Sequence, residues 1–220
     1  DNENSWGDVS TIAEAVARLP ASGGEICIGP GTWRENLTLI GRSNIIFTGC
    51  GARTRWLAAD PAQPLATLSN CETIRFRRLS VESVAAPCIL APGNANNLGS
   101  RDLWIEDCSL TTPSGGVIRA DHVEKVTIDR CRIDSGPMSD PTAANAAFAA
   151  VALQGDVLTI RNSVIHAVPG ATPQALALGG IHIPGDSRDI VVADCTIRDG
   201  AGNGITLGST RTIRIPAPAF

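Results

Sequence analysis

Few residues in this 220-residue chain have the types and spacing to do chemistry. Asp121, Asp156 and Asp186 each follow a short apolar stretch, at similar offsets from Val117, Val151 and Ile181. Three carboxylates brought level would offer hard oxygen ligands to Ca²⁺. The competing reading is turn chemistry, since Gly155-Asp156 and Gly185-Asp186 are pairs in which Asp bonds its own backbone. His182, beside Gly180 and Ile181, is the one titratable side chain on the outward phase of its strand. With Arg119, Asp156 and Asp186 it forms the candidate catalytic set: a base, a cation and two carboxylates. His122 and His166 have no partner at a spacing that reads as a triad or a metal pair. The seven Cys are odd in number and contain no Cys-x-x-Cys, so neither a zinc knuckle nor a thioredoxin-type site is available.

Whatever these residues do, a repeat must position them. NIIFTGCG, TIRFRRLSV, DLWIEDCSL, KVTIDRCRI, VLTIRNSVI and DIVVADCTI share one pattern of alternating apolar residues around a two-residue slip. Its small-or-apolar position holds Cys50, Leu79, Cys108, Cys131, Ser163 and Cys195, at separations of 29, 29, 23, 32 and 32 residues. The last five copies close on an apolar residue and the first does not. Period-two alternation means short strands with one inward face, and the slip is a bend between two of them. A further strand ends in a Gly-rich turn in GGVIRAD, AAVALQGD, GGIHIPGD and NGITLGS. Three short strands per 23-residue minimum, with no helices between, predict a three-sided coil stacked on itself. The fold expected is therefore all-β: a right-handed parallel β-helix of about six to seven coils.

The ends fit that architecture. Ile12, Ala15, Val16 and Leu19 have helical spacing, with Ser10 or Thr11 as N-cap and Pro20 after the stop. Residues 1–22 are expected to be a capping helix segment, covering the sticky edge of the first coil. Residues 23–220 are expected to form the solenoid. At the other end Thr212–Ile215 starts another repeat, which reads as a solenoid completed beyond Phe220.

Composition sets outer bounds. Hydrophobic residues are 43%, charged residues 18%, aromatics 4% with no Tyr, and the formal net charge is −4. No basic excess exists to neutralise phosphates, so nucleic acid is not an expected partner. No apolar run approaches a bilayer span. The 22 Gly and 14 Pro fit a narrow core with several turns per coil.

The opening stretch TIAEAVARLPASGGEICIGPGTWRENLTL resembles that of pectate-lyase-like β-helix proteins. In those a helix is followed by Gly-Gly (here Gly23, Gly24), a short apolar strand (Ile26 to Ile28) and Pro-Gly-Thr-aromatic-x-Glu (Pro30 to Glu35). The resemblance covers nearly the whole chain. It implies the fold, but the superfamily spans lyases, hydrolases, esterases, epimerases, phage tailspikes and non-catalytic scaffolds. GAGNGITLGS resembles the Gly-His-Gly-Ile strand of polygalacturonases, with Asn203 where their His stands, and their paired-Asp motifs have no match here.

In a stacked coil chemistry runs down columns at the strand spacing. The Cys column reads as small buried hydrophobes rather than a metal or redox site. The bend column (Arg77-Arg78, Glu106-Asp107, Asp129-Arg130, Arg161-Asn162, Ala193-Asp194) reads as cross-coil ion pairs on a solvated ridge. The outward face of the Gly-Ile strand reads as Thr67, Ile89, Ile118, Ala152, His182 and Thr206, which lacks the carboxylate pair of a glycosidase. Two Ala-rich insertions carry Met138, Phe148, Leu176 and Leu178, expected to pack on a neighbouring coil or meet another chain. Asn36-Leu37-Thr38 fits the glycosylation pattern. The expected function is a non-catalytic scaffold, or a carbohydrate- or protein-contact surface, in a larger bacterial or phage-like assembly. A polysaccharide-active lyase, hydrolase or epimerase is the alternative. The expected partners are polysaccharide or another chain, with no cofactor beyond the Ca²⁺ candidate. An extracellular, cell-surface or phage-particle location is what fold analogy implies.

Overall fold

The computed structural model describes residues 8–93, 99–113, 115–136, 149–167, 179–199 and 204–208. In chain order the elements are α1 (Ile12–Arg18), β1 (Gly24–Cys27), β2 (Gly31–Arg34), β3 (Leu37–Ile40), β4 (Ser43–Leu57), β5 (Ala66–Ser69), β6 (Glu72–Glu82), β7 (Ile89–Ala91), β8 (Asp102–Glu106), β9 (Ser109–Thr112), β10 (Ile118–Asp129), β11 (Arg132–Ser135), β12 (Ala149–Arg161), β13 (Val164–Ala167), β14 (Gly179–Ile183), β15 (Ile190–Ala193), β16 (Thr196–Arg198) and β17 (Ile205–Leu207). Every strand pairing is parallel, and the pairings sort into three ladders. One runs β1, β4, β6, β8, β10, β12, β15. The second runs β2, β4, β6, β9, β11, β13, β16. The third runs β3, β5, β7, β10, β12, β14, β17. The long strands β4, β6, β10 and β12 each turn a corner and serve two ladders.

Inward columns fill the core. One holds Ile45, Ile74, Leu103, Val126 and Leu158, all at most 1% exposed. Its neighbour holds Phe47, Phe76, Ile105, Ile128 and Ile160, likewise closed to solvent. Among the described residues the large rings of the core lie toward the N-terminal end, where Phe47 and Phe76 stack at 5.2 Å and Trp56 tilts against both.

The corner between the first two ladders is a column of left-handed residues. Arg78, Asp107, Arg130, Asn162 and Asp194 all have φ of 51° to 52°. Asn and Asp tolerate that region better than other non-glycine residues, which accounts for three of the five positions. The corner entering the first ladder from β12 needs Gly155, because a Cβ there would lie 1.8 Å from the Val123 carbonyl oxygen.

The helix caps the first coil as expected, with Thr11 as its N-cap. Thr11 Oγ1 accepts a 3.0 Å hydrogen bond from the Glu14 amide. Ile12 and Val16 are buried, and the Arg42 guanidinium donates to the Val16 and Leu19 carbonyls at the helix end. Glu35 accepts from the Ala13 amide at 3.1 Å. Burial there raises its carboxyl above the usual range despite that bond. Met138, Phe148, Leu176, Leu178, Asn203 and Thr212–Ile215 lie outside the described residues.

Candidate functional site

The observed register corrects several expected columns. The outward column of the third ladder is Thr67, Leu90, Arg119, Ala152, His182 and Thr206. Ile89 and Ile118 point inward instead, at 1% exposure each. Arg119 is therefore on this face two coils from His182, with Ala152 between them. Its Nε donates to Asp121 Oδ2 at 2.8 Å, and His182 Nε2 lies 3.3 Å from the Gly208 carbonyl oxygen.

The three candidate calcium ligands are not level. The β10–β12 register shifts between Ala120 and Val123, so Asp121 lies within the irregularity whereas Asp156 follows Gly155, the partner of Val123. Asp186 sits in a left-handed turn at φ 72° and is exposed. That turn is tied to β12 by Ser187 Oγ, which accepts from the Gly155 amide. Among the described residues no group of three or more His, Cys, Asp or Glu is placed to hold a metal ion.

The cysteine column also changes at its first member. Cys50 is exposed, because β4 has register shifts on either side of Gly51 and buried Gly49 faces Leu79 in its place. Cys108 and Cys131 are buried, and Cys195 is partly so. Burial pushes the Cys131 thiol up to about 12 and that of Cys108 higher still, with the neighbouring Cys131 adding to the second shift. Both are thus protonated and behave as small apolar core residues.

The bend column forms the expected cross-coil pairs in part. Arg77 reaches Glu106 at 3.6 Å, and Arg130 grips both Asp107 oxygens at 2.7 and 2.9 Å. Asp129 departs from the expected solvated ridge, being 1% exposed. Its carboxylate accepts from Arg130, from Arg161 at 3.1 Å and from Asn162 Nδ2 at 3.0 Å. Desolvation acts to raise its pKa. The hydrogen bonds from Asn162 and Arg161 and the charges of Arg130 and Arg161 outweigh it and hold the carboxyl below the ordinary range.

Two further clusters were missed on spacing. On the outward face of the first ladder, Arg75 and Trp104 are register partners, and Lys125 stands one coil further along. The Arg75 guanidinium carbon and Lys125 Nζ each lie 4.7 Å from the Trp104 ring centroid. Asp102 Oδ1 fixes the indole by accepting from Nε1 at 2.7 Å. Among the described residues neither Arg75 nor Lys125 has a carboxylate within ion-pair distance, unlike Arg77, Arg101, Arg130 and Arg161. The signal was in the repeat, since TIRF over DLWI puts Arg75 above Trp104.

On the second ladder Asp134 and His166 are register partners, followed by Arg198. His166 Nδ1 is 3.4 Å from Asp134 Oδ1, and its Nε2 is 3.1 Å from Asp199 Oδ2. Arg132 holds Asp134 at 2.7 Å. His166 therefore does have partners, one coil away on each side. Asn36 is committed to structure: its amide nitrogen donates to the Asp60, Gln63 and Pro64 carbonyls and its oxygen accepts from the Asp60 amide.

Three parallel ladders wound around one apolar core define a parallel β-helix, and the rule for parallel crossovers makes it right-handed. The model of the right handed beta helix region matches residues 66–215, and the chain belongs to that family. Two solved structures are similar, both of the pectin methylesterase from Aspergillus niger. The penultimately deglycosylated form has a TM-score of 0.47 at 14% identity, covering 96% of this chain and 89% of that one. The deglycosylated form has a TM-score of 0.44 at 12% identity, covering 96% and 90%. No curated protein matches the chain. No helix among the described residues is long and apolar enough to cross a membrane.

Proposed function

We propose that this chain is a non-catalytic β-helix module, a rigid scaffold whose first-ladder face makes contact with carbohydrate. The observation that carries the reading is the Arg75–Trp104–Lys125 stack. Two cations are held against one indole, and neither is neutralised by a carboxylate among the described residues. Because both lie over the ring, the donors offered to a ligand are the guanidinium and ammonium groups rather than a bare aromatic face. Parallel ladders hold these groups at a fixed spacing, so binding a chain of sugars would order few protein side chains. The Asp102 bond to the indole removes one more freedom.

A glycan array probed with the full chain, followed by calorimetry on any ligand found, tests this. The double variant Arg75→Ala/Lys125→Ala is expected to weaken binding by about tenfold or more, near 1.4 kcal/mol. An array silent across neutral and acidic glycans, or an affinity unchanged in the double variant, overturns it. A second reading, a polysaccharide-active enzyme, has one observation of its own. His166 lies between Asp134 and Asp199 and has the elements of an oriented acid–base group. Turnover of a uronate polymer that His166→Ala abolishes would replace the first reading.

A further inference from the structure

We propose that the corner shared by β4 and β6, beside the Arg75–Trp104–Lys125 stack, is a docking surface for a sulfated polysaccharide, with Arg53 and Arg78 as its sulfate-binding groups. The assignment rests on the carbohydrate-contact reading above and adds the class of the ligand. From Thr48 to Arg55 β4 takes seven residue steps, where β6 takes three from Arg77 to Ser80. The later corners among the described residues all keep three: Glu106 to Ser109, Asp129 to Arg132, Arg161 to Val164 and Ala193 to Thr196. The extra residues form a pinned projection. Thr54 is buried, and its Oγ1 accepts from the Cys50 amide at 2.9 Å and donates to the Ile28 and Gly29 carbonyls. Cys50, Ala52 and Arg53 are exposed. The detour lies against the corner of the next coil. A Cβ on Gly49 would be 2.5 Å from the Arg78 carbonyl oxygen, and Gly51 is in register with Leu79. Arg53 and Arg78 are thus exposed cations on adjacent coils, and Arg75 precedes Arg78 by three residues on the same strand.

Charge and geometry name the ligand. Further along the ridge the acids already have partners. Glu106 lies 3.6 Å from Arg77, and both oxygens of Asp107, the corner neighbour of Arg78, are held by Arg130. Among the described residues Arg53 and Arg78, like Arg75, have no carboxylate within ion-pair distance. The net charge of the chain is −4, so this cationic corner is local and not part of a general basic excess. A guanidinium fork matches two oxygens of an oxyanion. One fork therefore occupies a whole carboxylate, whereas a sulfate ester has three free oxygens, enough for a second arginine on the adjacent coil.

Calorimetry of the full chain with dextran, carboxymethyl dextran and dextran sulfate tests this, because one backbone carries all three. Dextran sulfate is expected to bind about tenfold or more tighter than carboxymethyl dextran of matched charge. The double variant Arg53→Ala/Arg78→Asn is expected to lose about tenfold; Asn tolerates the left-handed φ of 52° at position 78. Arg188→Ala/Arg198→Ala, on the last wound turn described, removes the same charge and is expected to change affinity by less than about twofold at about 0.15 M salt. No binding of dextran sulfate, equal affinity for the two anionic dextrans, or an equal loss in both double variants overturns the proposal. Tighter binding of a single-stranded oligonucleotide than of dextran sulfate also overturns it. A glycan that needs Arg75 and Lys125 but not Arg53 and Arg78 overturns it and leaves the first-ladder reading intact. The reverse pattern supports the sulfate corner and overturns the first-ladder reading.

Discussion

Phe76→Ala is expected to lower stability by about 3–5 kcal/mol, the range for removing a buried ring from a packed core. Phe76 is 1% exposed, stacks on Phe47 at 5.2 Å and 15°, and meets Trp56 at 6.3 Å. Ile105 of the next coil packs along the same column. The two remaining rings cannot close the gap by a small shift, since Phe47 stays in register with Ile26 and Trp56 with Trp33 and Val81. Trp56 is further fixed by its Nε1 bond to the Glu35 carbonyl at 3.0 Å. In a solenoid each coil touches only its neighbours, so the loss should separate the helix-capped first coils from the rest. Urea unfolding followed by tryptophan fluorescence should show a lower midpoint and a shallower transition than in the wild type. Phe76→Leu, which keeps most of the volume, is expected to lose less than about 1.5 kcal/mol. An alanine variant within about 0.5 kcal/mol of the wild type would mean that the ring cluster is not a fixed part of the core.

The architecture was legible because a repeat multiplies a weak strand signal. Six copies of one alternating pattern give a phase that no single copy would, and inward residues such as Ile74, Val126 and Ile160 follow it. The errors fall where the phase is ambiguous. Val117 and Ile118 are adjacent apolar residues, so alternation alone does not say which begins the strand; both are buried, and the pairing starts from Ile118. That one-residue slip put Ile89 and Ile118 on the wrong face and concealed Arg119 among the outward residues. It also made Asp121 look level with Asp156, because the shift between Ala120 and Val123 has no sequence signature. Cys50 did carry a warning: its copy of the repeat is the one that does not close on an apolar residue, and there the strand adds residues around Gly51.

The candidate sites were less legible, for a different reason. His166 and Asp134 are 32 residues apart, the step that separates Cys131 from Ser163, so their meeting follows from the repeat and not from any local motif. Trp104 was hidden by being treated as one more alternating position, although it is the aromatic residue on an otherwise polar or aliphatic outward column with Arg75, Thr127 and Thr159. Charges on the bend were visible, but burial was not. Asp129 and Glu106 are equivalent in sequence and paired in register. Asp129 alone is covered, because Arg130, Arg161 and Asn162 fold over it from its own coil and the next.

That difference makes Asp129→Ala the second large expected effect, a loss of about 2–3 kcal/mol. Breaking a fully buried ion pair costs about 3–5 kcal/mol because an unpaired charge stays behind. Here the partners are half-exposed, with Arg130 at 51% and Arg161 at 49% side-chain exposure, so water can recover them and the loss should fall at or below the lower end. Asn162 loses the acceptor of its amide while remaining in a left-handed conformation at φ 51°. The pH dependence has a definite sign. The folded carboxyl titrates below its ordinary value of 3.8, so the unfolded chain binds more protons in the window between the two. The stabilisation is therefore complete above about pH 5 and is lost as pH falls through the depressed folded value. Asp107, also held low, chiefly by its bonds from Arg130, adds to the same acid limb. Asp129→Asn keeps the shape but does not titrate, so its deficit against the wild type should be largest near neutrality and shrink as pH is lowered below about 4. Some acid dependence should persist in that variant through Asp107. Urea midpoints measured from pH 7 to pH 3 would show this convergence, and a deficit constant across that range would rule out Asp129 as the charged hub of the ridge.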